Sequence, residues 1–215
     1  MIDLKNVTIV SVACVRADRT LRAMNFSMRR INFGAAKILT SENIESNEVE
    51  IVKIDHLDYV GYNKFVVYDL WKYIDTDYAL LIQDDGFVAN PSSWRDEFFK
   101  YDYIGAPWPL PKDSFSFRDP FGNIIRVGNG GFSFRSKKLL KTPTELNLEW
   151  KPYFGYYNED GFLTCHNRHL IEEAGCVYAP IDVAKYFSHE AEIEETKGIE
   201  PFGFHSKWSK YNSLI

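Results

Sequence analysis

The sequence predicts an α/β domain built on a mostly parallel central sheet with helices on both faces. Three observations point there. Through the first hundred residues, apolar β-branched runs alternate with segments of helical spacing, the pattern of successive strand–helix–strand units. The run Tyr78-Ala79-Leu80-Leu81-Ile82 stops abruptly at Gln83-Asp84-Asp85-Gly86, as a buried parallel strand does at its carboxyl end. The 215 residues suit one domain with a substantial core, its first half over about 1–100 and its second over about 101–215.

The elements follow in order. Val7 to Val15 is β-branched and reads as a first strand. Asp18 and Thr20 offer caps to a helix marked by Leu21, Met24, Met28 and Ile31. Phe33 to Leu39 and Val49 to Ile54 read as strands, with a polar loop between them. Val67, Leu70, Trp71 and Ile74 give helical spacing to Gly61 to Ile74, before the strand that ends at Asp84-Asp85. Trp94 to Phe99 reads as a short helix. A long proline- and aromatic-rich loop runs from Tyr101 to Phe121, and such loops in compact domains are usually functional. A strand is expected at Ile124 to Val127, then a glycine turn, Gly128-Asn129-Gly130-Gly131, entering another strand. Lys137 to Lys141 opens a helix, and Asn158-Glu159-Asp160 caps one over Gly161 to Ala174. Val177 to Pro180 and Ala184 to Phe187 read as late strands.

Composition narrows the function. Net charge is −5 and no basic block stands out, which argues against nucleic acid as a partner. No run approaches the roughly 20 apolar residues of a membrane span, and no signal-peptide core is visible. Cys14, Cys165 and Cys176 form no pairing pattern and read as thiols of a reducing compartment. The expectation is a soluble cytoplasmic protein without membrane insertion, or equally one domain of a longer chain. The 13 Tyr, 16 Phe and 5 Trp suit either sugar-stacking surfaces or a large core.

Four features could carry chemistry. Asp84 and Asp85 sit where open α/β sheets bind ligands, outside the carboxyl ends of strands. One or two carboxylates suffice for a hard cation whose shell is completed by phosphate oxygens and water. His205 could add a nitrogen ligand, which favours Mn²⁺ at least as much as Mg²⁺, although a lone His beside Phe204 is more often a packed one. Gly128-Asn129-Gly130-Gly131 lets backbone approach a neighbour closely. It has neither dinucleotide-fingerprint nor P-loop spacing, and a tight hairpin explains it equally. Glu159-Asp160 at a helix start is either a cap stabilised by the helix dipole or a general base toward a hydroxyl.

Together these features resemble the GT-A fold glycosyltransferases. Gln83-Asp84-Asp85 stands at the Asp-x-Asp metal motif of that family, Asn158-Glu159-Asp160 at its acidic pair, and His205 at its late metal ligand. Asp102-Tyr103-Ile104-Gly105-Ala106-Pro107-Trp108 and Gly128-Asn129-Gly130-Gly131-Phe132-Ser133 are similar to a group of such enzymes with bacterial and chlorella-virus members. The resemblance implies a Rossmann-like half, a smaller antiparallel part on the acceptor side, and metal-dependent transfer of a sugar from a UDP-sugar donor to a hydroxyl of a glycan or glycoconjugate acceptor. It implies Asp85 and His205 as ligands of Mn²⁺ or Mg²⁺. Asp84 would bond ribose or a metal-bound water, the roles of the two aspartates exchanging if the register slips by one. Ser11, Val12, Ala13 and Arg16 would contact uracil or ribose, with Asp55 a further candidate. Asn129, Gly130 and Gly131 would line the donor sugar, Trp108 would shape the acceptor side, and Lys207 would neutralise the diphosphate. Asp160 is the implied base for an inverting reaction, with Glu159 the alternate. In a retaining reaction Asp160 would orient the sugar instead. One departure stands out: Gln83 replaces the first aspartate of the motif. A nucleotidyltransferase acting on sugar phosphates and a non-catalytic carbohydrate-binding module are the rival readings.

Overall fold

The computed structural model describes residues 1–215 except 153, 154, 156, 157 and 208. Four parallel strands form the first part of a six-stranded sheet: β1 (Ile2–Val12), β2 (Ile31–Thr40), β3 (Glu50–Lys53) and β4 (Tyr78–Leu81). From the second half, β5 (Tyr103–Ile104) and β8 (Ser133–Ser136) extend it, with β8 antiparallel to both β4 and β5. The order is β3-β2-β1-β4-β8-β5. Two small sheets lie beside it. One is the antiparallel pair β6 (Ala106–Pro107) and β7 (Val127–Gly128), and the other the parallel pair β9 (Ser188–His189) and β10 (Gly203–Phe204). The expected mostly parallel sheet with a smaller antiparallel part is present.

β1 begins earlier than its β-branched run suggests and ends at Val12, because Arg16 turns the chain. Arg16 takes a left-handed conformation (φ 56°) and α1 (Ala17–Ser27) starts after it. The cap comes from a distant residue, since the Ala17 N–H donates to Glu42 Oε2 at 2.8 Å. Asp18 and Thr20 do other work, Asp18 pairing with Arg22 and Thr20 donating to the Arg16 carbonyl.

The helix expected over Gly61 to Ile74 starts sooner and breaks. α2 (Tyr59–Tyr68) is capped by Asp58, whose side chain accepts the Gly61 N–H at 2.6 Å, and a separate 3₁₀ turn covers Leu70–Tyr73. Trp94 to Phe99 is likewise a 3₁₀ turn, over Asp96–Lys100. After α3 (Lys137–Glu145), the helix expected over Gly161 to Ala174 divides into three. These are α4 (Glu159–Gly161), a π-helical turn at Phe162–His166 and α5 (Arg168–Glu173). The Asn167 N–H reaches back five residues to the Phe162 carbonyl, an insertion of the kind that marks functional sites.

Two expected strands are absent as strands. Val177 to Pro180 contributes one bridge, Tyr178 to Tyr103. Ala184 to Phe187 is the end of α6 (Ile181–Phe187), which starts at Pro180 and buries Ala184 and Phe187. Their spacing of three is helical, and a short apolar run does not reveal its period. The strand expected at Ile124 to Val127 shrinks to β7.

Many of the aromatic residues are in the core or packed against it. Phe87, Phe132, Phe134, Phe187, Phe202 and Phe204 are fully buried or nearly so. Their rings pack against one another, Phe87 and Phe204 edge to face with centroids 4.7 Å apart and Phe132 and Phe187 stacked at 5.1 Å. All three cysteines are free and buried. Among the described residues no helix is long and apolar enough to cross a membrane.

Candidate active site

β4 ends in a two-residue turn. Gln83 and Gly86 exchange backbone hydrogen bonds at 2.9 and 3.2 Å, which leaves Asp84 and Asp85 at the tip with side chains pointing apart. Asp84 Oδ2 meets Arg16 Nη1 at 3.0 Å and Arg19 Nε at 3.6 Å. Asp85, 7% exposed, turns inward. Its Oδ1 lies 3.5 Å from His205 Nε2. The Ser206 N–H donates to the Asp85 carbonyl at 2.9 Å and the His205 N–H to the His189 carbonyl at 3.0 Å, so two backbone bonds carry the late histidine to the strand end.

The glycine turn explains how these groups fit. A Cβ at Gly131 would fall 2.2 Å from His205 Nε2, and one at Gly130 would fall 1.4 Å from Glu159 Oε1. A Cβ at Gly128 would strike the Trp108 ring at 2.0 Å. The three glycines therefore make room for three site side chains. Asn129 between them is left-handed (φ 70°), and its Nδ2 contacts His205 Nδ1 at 2.9 Å.

Charge is distributed unequally over Glu159 and Asp160. Glu159 is 4% exposed and pairs with the fully buried Arg135, Nη2 to Oε2 at 2.8 Å. Its N–H donates to Asn63 Oδ1 of α2 at 2.7 Å. Burial pushes the Glu159 carboxyl up to about 7 against the pull of Arg135. Asp160 accepts only its neighbour's Gly161 N–H at 2.7 Å among these side-chain bonds and lines a cavity of about 340 Å³. Burial raises its pKa too, with the backbone bond pulling the other way and Glu190 adding to the rise. Trp108, Phe117, Arg118, His166 and Glu190 form other walls of this cavity, Trp108 and Phe117 stacked at 4.6 Å. The π-helical turn after Asp160 is what places Cys165 and His166 there.

Asp85 and His205 suit a divalent cation. Neighbouring donors of an octahedral shell at about 2.1 Å stand roughly 3 Å apart, close to the 3.5 Å observed. Burial opposes ionisation of Asp85, but the hydrogen bond and charge of His205, with Lys207, outweigh it and hold the carboxyl below its usual range. For His205 burial is outweighed by Asp85 and Glu190, which raise it to about 9. Ligation through Nε2 requires the ring proton on Nδ1, where Glu190 Oε1 stands at 3.9 Å. No third His, Cys, Asp or Glu joins the pair among the described residues.

The remaining predicted residues divide. Lys207 is exposed and acts on Asp85 electrostatically. Arg16 and Asp84 meet each other. Ser11 is buried with its hydroxyl donating to the Ile82 carbonyl at 2.8 Å. Val12 is buried in β1, and Ala13 has its N–H on the Leu39 carbonyl and its own carbonyl on Thr40 Oγ1. Asp55 lies apart from Asp85, at the end of β3, its carbonyl 3.8 Å from Cys14 Sγ, beside a second cavity of about 470 Å³. Sequence reasoning missed Arg135, Glu190 and Asn63. Strand alternation puts Arg135 on the same side as Ser133, to which it donates at 2.9 Å, but no local pattern marks a buried guanidinium.

Two solved structures share this fold. One is a glycosyltransferase involved in glycosylation of the major capsid of PBCV-1, at TM-score 0.56 and 13% identity over 97% of this chain and 99% of that one. The other is the galactosyltransferase LgtC in complex with donor and acceptor sugar analogues, at TM-score 0.59 and 12% identity over 93% and 87%. The architecture is thus the GT-A fold that the motifs resemble. No curated protein matches the chain in sequence. A family model described as a protein of unknown function, DUF5672, matches residues 47–205, a span that includes Asp85, the glycine turn, Asp160 and His205, and the chain belongs to that family.

Proposed function

We propose that the chain is a glycosyltransferase that moves a sugar from a UDP-sugar donor to a hydroxyl of a glycan or glycoconjugate acceptor, with Mn²⁺ or Mg²⁺ as cofactor. The observation that carries this is the facing pair Asp85 and His205 at 3.5 Å, at the end of a parallel strand, with Asp160 lining a cavity that Glu190, 3.9 Å from His205, also lines. A divalent cation bound by that pair supplies Lewis-acid stabilisation of the leaving diphosphate. The positive charge of Lys207, already felt by Asp85, adds to it. Arg16 and Arg19 bring two more cationic groups to the adjacent Asp84.

Asp160 is the base of an inverting reaction, taking the proton of the acceptor hydroxyl. Its raised pKa makes it a better proton acceptor than an ordinary carboxylate. Glu159, held in a buried ion pair with Arg135, is the alternate. The stacked Trp108 and Phe117 offer an apolar wall to a sugar ring.

Incubation with UDP-sugars and Mn²⁺ should release UDP, whereas release of pyrophosphate would place the chain among nucleotidyltransferases. Asp160→Asn should reduce transfer by at least about 10²-fold with UDP affinity unchanged. Normal turnover in that variant would contradict the assignment.

A further inference from the structure

The cavity beside Asp160 is lined from two sources. Phe115, Ser116, Phe117 and Arg118 come from one loop, and Asp160, Gly161, Cys165 and His166 from α4 and the π-helical turn. The loop, residues 109–125, is a body of its own. Asp113 accepts the Phe115 and Ser116 N–H groups at 2.9 and 2.6 Å. A small hairpin follows, in which the Ile125 N–H donates to the Phe117 carbonyl at 2.7 Å and the Asp119 N–H to the Asn123 carbonyl at 3.0 Å. The Asp119 carboxylate ties the tip by accepting the Phe121 and Asn123 N–H groups at 2.9 and 2.8 Å. Among the described residues, the hydrogen bonds of 113–124 all end within 113–125.

The loop is joined to the rest of the domain in another way. At its base the Trp108 N–H donates to the Arg126 carbonyl at 2.8 Å, and Arg126 Nε to the Trp108 carbonyl at 2.9 Å. Beyond the base, ring contacts hold it. Phe117 stacks on Trp108 at 4.6 Å, and Phe121 at the hairpin tip meets His169 of α5 edge-on at 5.1 Å. Phe121 is still 71% exposed. Phe117 reaches Trp108 with a left-handed backbone (φ 52°), which a bulky residue keeps where its surroundings enforce it. A segment bonded within itself and held outside by ring contacts moves as one unit, because its weakest links lie at its edge.

We propose that residues 109–125 are a flap over the cavity, latched by Phe121 on His169, which opens to admit the acceptor and closes to keep water from Asp160. The part given to Asp160 rests on the function proposed above. Opening breaks ring contacts and leaves the internal hydrogen bonds of the flap in place. Closure keeps solvent out of the cavity, which strengthens the charge interactions of a carboxylate there. Cys165 reports which state is present, since it lines the cavity and is 4% exposed. Burial pushes its thiol up to about 12 against the contact with Thr164, so the reactive thiolate is scarce while the flap is shut.

The test is alkylation by iodoacetamide, followed at each cysteine by peptide mass, in the wild-type chain, Phe121→Ala and Phe121→Tyr. It uses neither donor nor cation, so a failure of the proposed function leaves its result unchanged. Phe121→Ala should speed the labelling of Cys165 by about fivefold or more, the shift in an opening equilibrium when one aromatic pair is lost. Phe121→Tyr keeps the ring and should label at the wild-type rate. The other two cysteines are internal controls. Cys176 follows α5, with its N–H on the Ile171 carbonyl, and reads any loosening of that helix. Cys14, just beyond β1, reads the sheet. Both should keep their wild-type rates in Phe121→Ala. An unchanged Cys165 rate in that variant would overturn the inference. A rise at Cys14 or Cys176 equal to the rise at Cys165 would also overturn it, because the thiol would then be reached by general loosening and not by a flap.

Discussion

Arg135 and Glu159 show how one residue pair divides the labour of an acidic motif. Both side chains are buried and joined at 2.8 Å, and Arg135 also lies under the Tyr103 ring. Removing one partner leaves a buried charge uncompensated, so Arg135→Leu should cost about 3–5 kcal/mol in urea unfolding. Arg135→Leu combined with Glu159→Leu should recover much of that loss, and a double variant as unstable as the single one would contradict the pairing. His205 gives a pH signature of its own. Its folded pKa of about 9 is above the ordinary 6.5. Its contribution to stability is therefore complete below about pH 6.5 and is lost as pH rises through about 9. In the presence of a chelator, the thermal midpoint should fall across that window, and Asp85→Asn should flatten the fall. Equal slopes in the two proteins would show that Asp85 does not hold the imidazolium. Residue identity made Asp85, His205 and Asp160 visible as candidates from the sequence. Arg135 and Glu190 were not, because their importance comes from burial and from partners 24 and 15 residues away.

At the scale of elements, the glycine turn is the hinge of the account. Its residues were legible as a place where backbone comes close to something, but not what that something is. The neighbours turn out to be Trp108, Glu159 and His205, side chains contributed by three separated stretches. Gly131→Ala should displace the imidazole and lower UDP affinity in Mn²⁺ by about tenfold or more, roughly 1.4 kcal/mol, with the far-ultraviolet dichroism unchanged. Retention of full affinity would mean that His205 is not held where it is described. Element boundaries were legible where one period ran long enough, as in β1, β2 and β4. They failed where another physical term decided. α1 takes its cap from Glu42, 25 residues away. The π-helical turn at Phe162–His166 has no periodic signal. The run ending at Phe187 is too short to separate strand from helix and is resolved only by packing against the aromatic core.

For the whole molecule, the parallel sheet and its switch to the antiparallel β8 put Asp85 at a strand end that faces outward, and β10 returns the chain to the same point. That convergence of residues 83–86, 128–131, 159–160 and 205 was legible as a resemblance in motif order, and the six-stranded order confirms the fold behind it. The central claim is that Asp85 and His205 hold a cation that holds a nucleotide diphosphate. Calorimetric titration of UDP into the protein with and without Mn²⁺ tests it most directly. Mn²⁺ should raise UDP affinity by at least about tenfold in the wild-type chain and have no such effect in Asp85→Ala. UDP affinity that is the same with and without Mn²⁺, or that rises equally in Asp85→Ala, would contradict it.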